Sequence, residues 1–463
     1  MLRREPGGEL RALPSFQAPA KGKGGVVLMA KGPRTGRISG RTSRVPVRQL
    51  VAETLAPEPA VEKDADADSE MGRRVQAFAD AAGPRMRRGF SHDTDPRRAA
   101  VELHDAIAQP DTAFVLVFCS PQYDLPLLGE ALADVFGDTL VIGCTTAGEI
   151  TPAGYMTGSI TGVSFPRSDF TAVAERIDDL ESFEISHAQA LVRGLTAKRD
   201  AASPEHRDAA SGSFALLLID GLSIREEPVV SSLYSALGDI PLFGGSAGDD
   251  LKFEQTWVLH DGRFHTDAAV LVLVDTVRRF SVFRTEHFVS SDQKMVVTEA
   301  DPARRIVTEI NAEPAGREYA RMVGLEGEPL TSMIFAAYPV VVRVGGEYHV
   351  RSIQKVNDDE SLTFFCAIDE GIVLTVAEGV DLVQNLESLF ARLRDDVGEP
   401  ELILGCDCIL RSLEMEQKQI KHLVSKVLAR NNVIGFCTYG EQFNAMHVNQ
   451  TFTGVAIGAR CKA

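Results

Sequence analysis

The stretch Leu140-Val-Ile-Gly-Cys-Thr-Thr-Ala-Gly-Glu149 decides how the rest of this chain is read. An apolar run stops at a hydroxyl residue followed by x-Gly-acid, the pattern of a buried strand ending in a sharp glycine turn. The same ending returns in Ile240-Pro-Leu-Phe-Gly-Gly-Ser-Ala-Gly-Asp249 and in Val433-Ile-Gly-Phe-Cys-Thr-Tyr-Gly-Glu441. Upstream of each stand another apolar run (Phe114 to Ser120, Phe214 to Asp220, Glu401 to Asp407) and an amphipathic helix (Leu127 to Phe136, Val229 to Leu237, Met415 to Leu428). The spacing is 29 residues from Ser120 to Glu149, 29 from Asp220 to Asp249 and 34 from Asp407 to Glu441. The tails agree as well, Thr157-Gly-Ser-Ile-Thr-Gly-Val163 matching Asn449-Gln-Thr-Phe-Thr-Gly-Val455. Equal order and equal endings at a fixed spacing mark an internal repeat.

Strand, helix, strand over about thirty residues is the βαβ unit. The expected fold class is therefore α/β, with repeated βαβ units and mainly parallel sheet. Between the second and third units, from Val282 to Ala377, the pattern changes to alternating strands such as Met295-Val-Val-Thr and Tyr348-His-Val-Arg-Ser-Ile, with one helix near Ala315 to Val323. This predicts an α+β, mostly antiparallel insert. Residues 1–85, rich in Gly, Pro, Arg and Ala, read as a disordered tail. The expected domains are 86–275, and 276–463 comprising the insert and the third unit.

A formal net charge of −17 argues against a nucleic-acid or anionic-membrane surface. Seven scattered cysteines do not form a secreted disulfide framework, and no apolar run is long enough to span a bilayer. A reducing cytoplasm is expected.

Parallel strands place Ser120, Asp220 and Asp407, with the closing turns Thr146 to Glu149, Ser246 to Asp249 and Thr438 to Glu441, at their carboxyl ends, the edge where open α/β sheets bind ligands. The candidate ligand-binding residues are thus Ser120, Thr146, Gly148, Glu149, Asp220, Ser246, Gly248, Asp249, Asp407, Thr438 and Glu441. Glycine-turn N–H groups suit a carboxylate, and gathered acids suit an ammonium group or a metal. The plainer alternative is that each acid accepts hydrogen bonds from its own turn. Arg351, on an alternating strand, is placed to clamp a ligand carboxylate. Ser246 in Gly244-Gly-Ser-Ala-Gly248 has the letters of a nucleophile elbow but no His or Asp partner fixed by spacing. A hydrolase or transferase using Ser246 and the strand-end acids stays as an alternative, as does a scaffold with no ligand.

Cys119-Ser-Pro-Gln-Tyr-Asp124, followed by Gly143-Cys-Thr-Thr-Ala-Gly-Glu-Ile-Thr-Pro-Ala-Gly-Tyr155, resembles the FIST N-terminal domain. Val350-Arg-Ser-Ile353, Val356-Asn-Asp-Asp359 and Gly435-Phe-Cys-Thr-Tyr-Gly-Glu441 are similar to the FIST C-terminal domain. Within these motifs Tyr123 and Thr145 join the candidate ligand-binding residues. The resemblance implies a non-catalytic sensory module of bacterial signal transduction that binds a small-molecule ligand such as an amino acid. It also implies a separate partner: a histidine kinase, a chemoreceptor or a cyclic-di-nucleotide enzyme. Some family members are haem proteins that sense nitric oxide and regulate a histidine kinase. For haem, one imidazole must face an apolar cavity. Phe280, Phe283 and Phe288 near His287 make it the candidate axial ligand, ahead of His260, His265 and His447.

Overall fold

The structure is a computed structural model that describes residues 85–202, 212–344 and 346–461. Of the tail expected at 1–85, all but Arg85 lies outside the described residues. The described residues all belong to one compact unit.

Three copies of one motif build the core. Each runs outer strand, helix, strand, helix, strand, short hairpin, closing strand. The first copy spans Arg87–Ser91 to Ile160–Pro166, the second Phe170–Asp178 to Ala268–Thr276, and the third Arg278–Glu286 to Thr451–Arg460. Each copy makes most of a six-stranded sheet. Parallel pairing is confined to the two strands of each βαβ unit: Thr112–Cys119 with Leu140–Thr145, Gly212–Ile219 with Leu242–Ser246, and Leu402–Cys408 with Val433–Thr438. The closing strand returns antiparallel on the other side of the first, so each sheet is mixed.

The hairpins are exchanged around a ring. The first copy's hairpin, Glu149–Thr151 with Gly154–Met156, pairs with the third copy's strand, Glu149 opposite Phe436. The second copy's hairpin pairs with the first copy, Val258 opposite Cys144. The third copy's hairpin pairs with the second, Glu441 opposite Gly245. No copy completes its own sheet.

The inner faces of the three sheets meet in one apolar core, with Phe114, Phe118 and Phe165 from the first, Phe214, Leu216 and Phe243 from the second, and Leu404, Ile434 and Phe436 from the third. Phe118 stacks on Phe436 at 4.5 Å between ring centroids. The outer faces carry the helices, each covering a separate apolar layer. The fold is a three-sided prism of sheet clad in helix, which explains why the strands read as continuous apolar runs. The glycine of each closing run follows from close approach: a Cβ at Gly143, Gly244 or Gly435 would lie 1.9, 2.0 or 1.7 Å from a carbonyl oxygen of the neighbouring parallel strand.

The insert interrupts the third copy between its outer strand Arg278–Glu286 and the helix Leu382–Val397. It is an eight-stranded antiparallel sheet, Phe288–Asp301 to Val373–Gly379, with the helices Ala315–Met322 and Ser332–Ala337 around a core of Met295, Tyr319, Phe335, Phe364 and Leu374. Among the described residues no helix is long and apolar enough to cross a membrane.

Candidate functional site

The three closing turns converge, held by backbone hydrogen bonds that run round the ring. Ala147 N donates to Cys437 O at 2.9 Å, and Cys437 N to Gly148 O at 2.7 Å. Gly248 N donates to Thr145 O at 3.0 Å, and Ser246 N to Gly440 O at 2.8 Å. The glycines permit this contact, since a Cβ at Gly248 would sit 2.7 Å from Ala147 N.

The acids of these turns are caged by their own surroundings. Glu149 accepts from Thr146 Oγ1 (2.5 Å), Ser159 N (3.1 Å) and Ser159 Oγ (2.6 Å). Glu441 accepts the same set two copies on, from Thr438 Oγ1, Thr451 N (3.1 Å) and Thr451 Oγ1 (2.7 Å). Burial pushes Glu149 up to about 7 and Glu441 up to about 8, partly offset by these hydrogen bonds. Asp249 accepts from the N–H groups of Phe253, Glu254 and Gln255 and from the Tyr439 hydroxyl. Asp220 accepts from Leu222 N (3.0 Å), Asp267 N (2.7 Å) and the Thr256 hydroxyl. Ser120 Oγ accepts from Gln122 N, Thr145 Oγ1 from Trp257 N, and the Tyr123 hydroxyl donates to Asp93 O. Ser246 Oγ accepts from Gln442 Nε2 at 2.9 Å, an amide that is no general base, and the serine is fully buried. The candidate residues on the strand ends are therefore gathered at one edge, with their polar atoms already engaged by the protein.

Asp407 belongs to a different buried group. It accepts from the Tyr155 hydroxyl and from Arg411 Nε at 2.6 Å. Arg411 Nη1 lies 2.8 Å from His287 Nδ1, and His287 Nε2 lies 2.6 Å from Glu414 Oε2. A guanidinium only donates, so Nδ1 is the acceptor and the proton sits on Nε2, directed at Glu414. Burial lowers the basicity of this imidazole, and the Arg411 charge acts in the same sense. Both ring nitrogens are committed and the neighbours are ionic. His287 does not fit the role of axial ligand to haem. Among the described residues no group of three or more His, Cys, Asp or Glu is placed to hold a metal ion.

The insert covers the converged turns. Phe365 and Ala336 of the insert pack with Ala147, Tyr439 and Leu410 of the core, and Phe253, Phe365 and Tyr439 form a three-ring cluster with centroids 4.8 to 6.0 Å apart. Beside this apolar contact lies a polar seam. His447, Asn449 and Gln450 come from the third copy's exchanged hairpin and the turn after it, Arg351 and Ser352 from the insert. Five buried atoms there find no partner among the described residues, on four nearly inaccessible side chains: His447 Nε2, Asn449 Nδ2 and Oδ1, Gln450 Oε1 and Ser352 Oγ. Arg351 Nε is a sixth. Burial disfavours protonation of His447, opposed by the Glu227 and Glu226 carboxylates and reinforced by the Arg305 and Arg351 charges, and the net effect keeps the imidazole neutral. Gln450 Nε2 reaches the carbonyls of Phe335 and Ala336, both at 3.4 Å. On the far side Glu226 and Glu227, at the start of the helix Glu226–Leu237, share one cation, Arg305 of the insert.

Of the ligand-binding residues expected from sequence, Arg351 alone lies in this seam. The sequence offers His447 only as a secondary haem ligand and carries no motif that singles out Asn449, Gln450, Ser352, Arg305, Glu226 or Glu227. A signal existed in the repeat. When Glu149 to Val163 is laid on Glu441 to Val455, Tyr155 becomes His447, Thr157 becomes Asn449 and Gly158 becomes Gln450. Gly158 and Gln450 share a left-handed backbone, φ 68° and 52°, a conformation that costs a non-glycine residue about 1 kcal/mol. The third copy retains a long amide where the first uses glycine.

Residues 113–313 match the FIST N domain and residues 315–444 the FIST C domain. The chain is also 23% identical over 251 residues to Uncharacterized protein MJ1623 of Methanocaldococcus jannaschii, a match over 47% of this chain and 48% of that protein. The chain thus spans about half the length of the curated relative it matches. FIST domains are associated with sensory signal transduction. With both domain models matched in order over most of its length, the chain belongs to the FIST family.

Proposed function

We propose that this protein is a non-catalytic sensor that holds a small ligand such as an amino acid in the seam between insert and core. It passes the signal to a separate partner: a histidine kinase, a chemoreceptor or a cyclic-di-nucleotide enzyme. The observation that carries this reading is the group of buried, unpartnered polar atoms on His447, Asn449, Gln450, Ser352 and Arg351. A buried polar atom without a partner costs about 1–3 kcal/mol, and such a concentration in one place asks for a ligand or ordered water to satisfy it. The charges suit a zwitterion. Arg351 supplies a cation for a carboxylate, His447 and Asn449 supply donors, and the Glu226/Glu227 pair carries one negative charge more than Arg305 neutralises. The ligand would bridge two bodies, and its different affinity for their alternative arrangements is what transmits a signal.

Thermal-shift titration against the standard amino acids tests this. One or a few should raise the melting temperature with concentration, as binding to the native state requires. Arg351→Gln and Asn449→Ala should remove that shift while leaving the ligand-free melting temperature within a few degrees. A panel in which no amino acid shifts the melt would sink the ligand class.

A further inference from the structure

Resting on the seam as the ligand site, we propose that the insert is a lid over it, latched shut by Arg305 gripping Glu226 and Glu227 of the second copy. A ligand at His447, Asn449 and Gln450 is enclosed, so exchange with solvent requires the insert to move. The structure shows what holds it. Arg305, 5% exposed, donates through Nη2 to Glu226 Oε2 at 2.7 Å and to Glu227, and through Nη1 to the Phe365 carbonyl at 2.6 Å. Glu227 Oε1 accepts from Ala367 N at 2.6 Å, so one carboxylate ties both an arginine and a backbone amide of the insert.

The insert joins the core through two adjacent necks, closed by Val380 N donating to His287 O at 2.7 Å and continued by the pairing of Phe288 with Gly379. His287 is itself fixed to the core helix Ile409–Gln417 through Arg411 and Glu414. One end of the insert is therefore pinned, and the other is held by this ion pair together with the apolar contact of Phe365 and Ala336 on the core. Deleting one partner of this pair leaves the other charge buried and unpaired, so a single substitution on either side should loosen the contact.

Amide hydrogen exchange on the full chain, without any ligand, tests the latch in Arg305→Gln and in the milder Glu227→Gln. Exchange at residues 364–368 and Ile306–Ile310 should rise about tenfold or more in Arg305→Gln and by less in Glu227→Gln. The strands Thr112–Cys119 and Leu402–Cys408 should keep wild-type protection. Unchanged exchange at 364–368 in both variants would overturn the latch, and so would an equal rise in the core strands. A failed amino-acid panel would remove the ligand and leave this result standing, so the two ideas fail separately.

Discussion

Glu149 and Glu441 occupy the same place in two copies, each buried within a hydroxyl, an N–H and a second hydroxyl. Burial favours the neutral acid, and their folded-state values near 7 and 8 lie above the ordinary carboxyl value of 4.5. A raised value means that the native state holds a proton the unfolded chain has released. The stabilisation is complete below about pH 4.5 and is lost as pH climbs through 7 and 8. Each group contributes roughly 3–5 kcal/mol to this slope. Glu149→Gln and Glu441→Gln should flatten the fall in stability between pH 5 and about 8.5, seen as a smaller shift in the urea midpoint across that range. A slope equal to wild type in both variants would show that other groups carry it.

At the scale of elements, the glycine of each second parallel strand is a packing requirement. A methyl group at Gly143 would lie 1.9 Å from the Val117 carbonyl oxygen, which a flexible side chain cannot relieve because the obstacle is backbone. Gly143→Ala should therefore destabilise by at least about 2 kcal/mol by denaturant midpoint. Gly137, also in the first copy, has φ 56°, but a Cβ there would meet no atom within 4 Å. With ψ −127° it lies outside the left-handed helical well that Asn tolerates, so its replacement by Ala should cost about 1–3 kcal/mol through backbone conformation alone. The contrast separates close approach from backbone conformation as reasons for a glycine.

For the whole molecule, the ring of exchanged hairpins ties the copies into one cooperative unit. Each sheet needs a hairpin from another copy, so losing one copy removes an edge from the next. The chain has one tryptophan, and Trp257 sits where the second copy's hairpin joins the first copy, its backbone N–H donating to Thr145 Oγ1 at 3.1 Å. Urea unfolding followed by Trp257 fluorescence should coincide with the loss of far-ultraviolet ellipticity of the core. A fluorescence midpoint clearly ahead of the ellipticity midpoint would show that the second copy detaches by itself.

The repeat, its three βαβ units and the antiparallel insert were legible in the chain because burial on both faces writes continuous apolar runs, and close approach writes glycines at fixed places. Convergence of the closing turns followed from the same pattern. The exchange of hairpins was not legible, since a hairpin that pairs with a neighbouring copy has the same local sequence as one that pairs with its own. Nor was the seam, because the segment His447 to Gln450, Arg351 and Glu227 are far apart in sequence, and Arg351 joins the others only when the insert folds back over the core. What the amino-acid order determined was which faces must be buried; which buried polar atoms are left without partners was decided by tertiary packing, because satisfaction of a hydrogen bond depends on what the fold brings within about 3 Å.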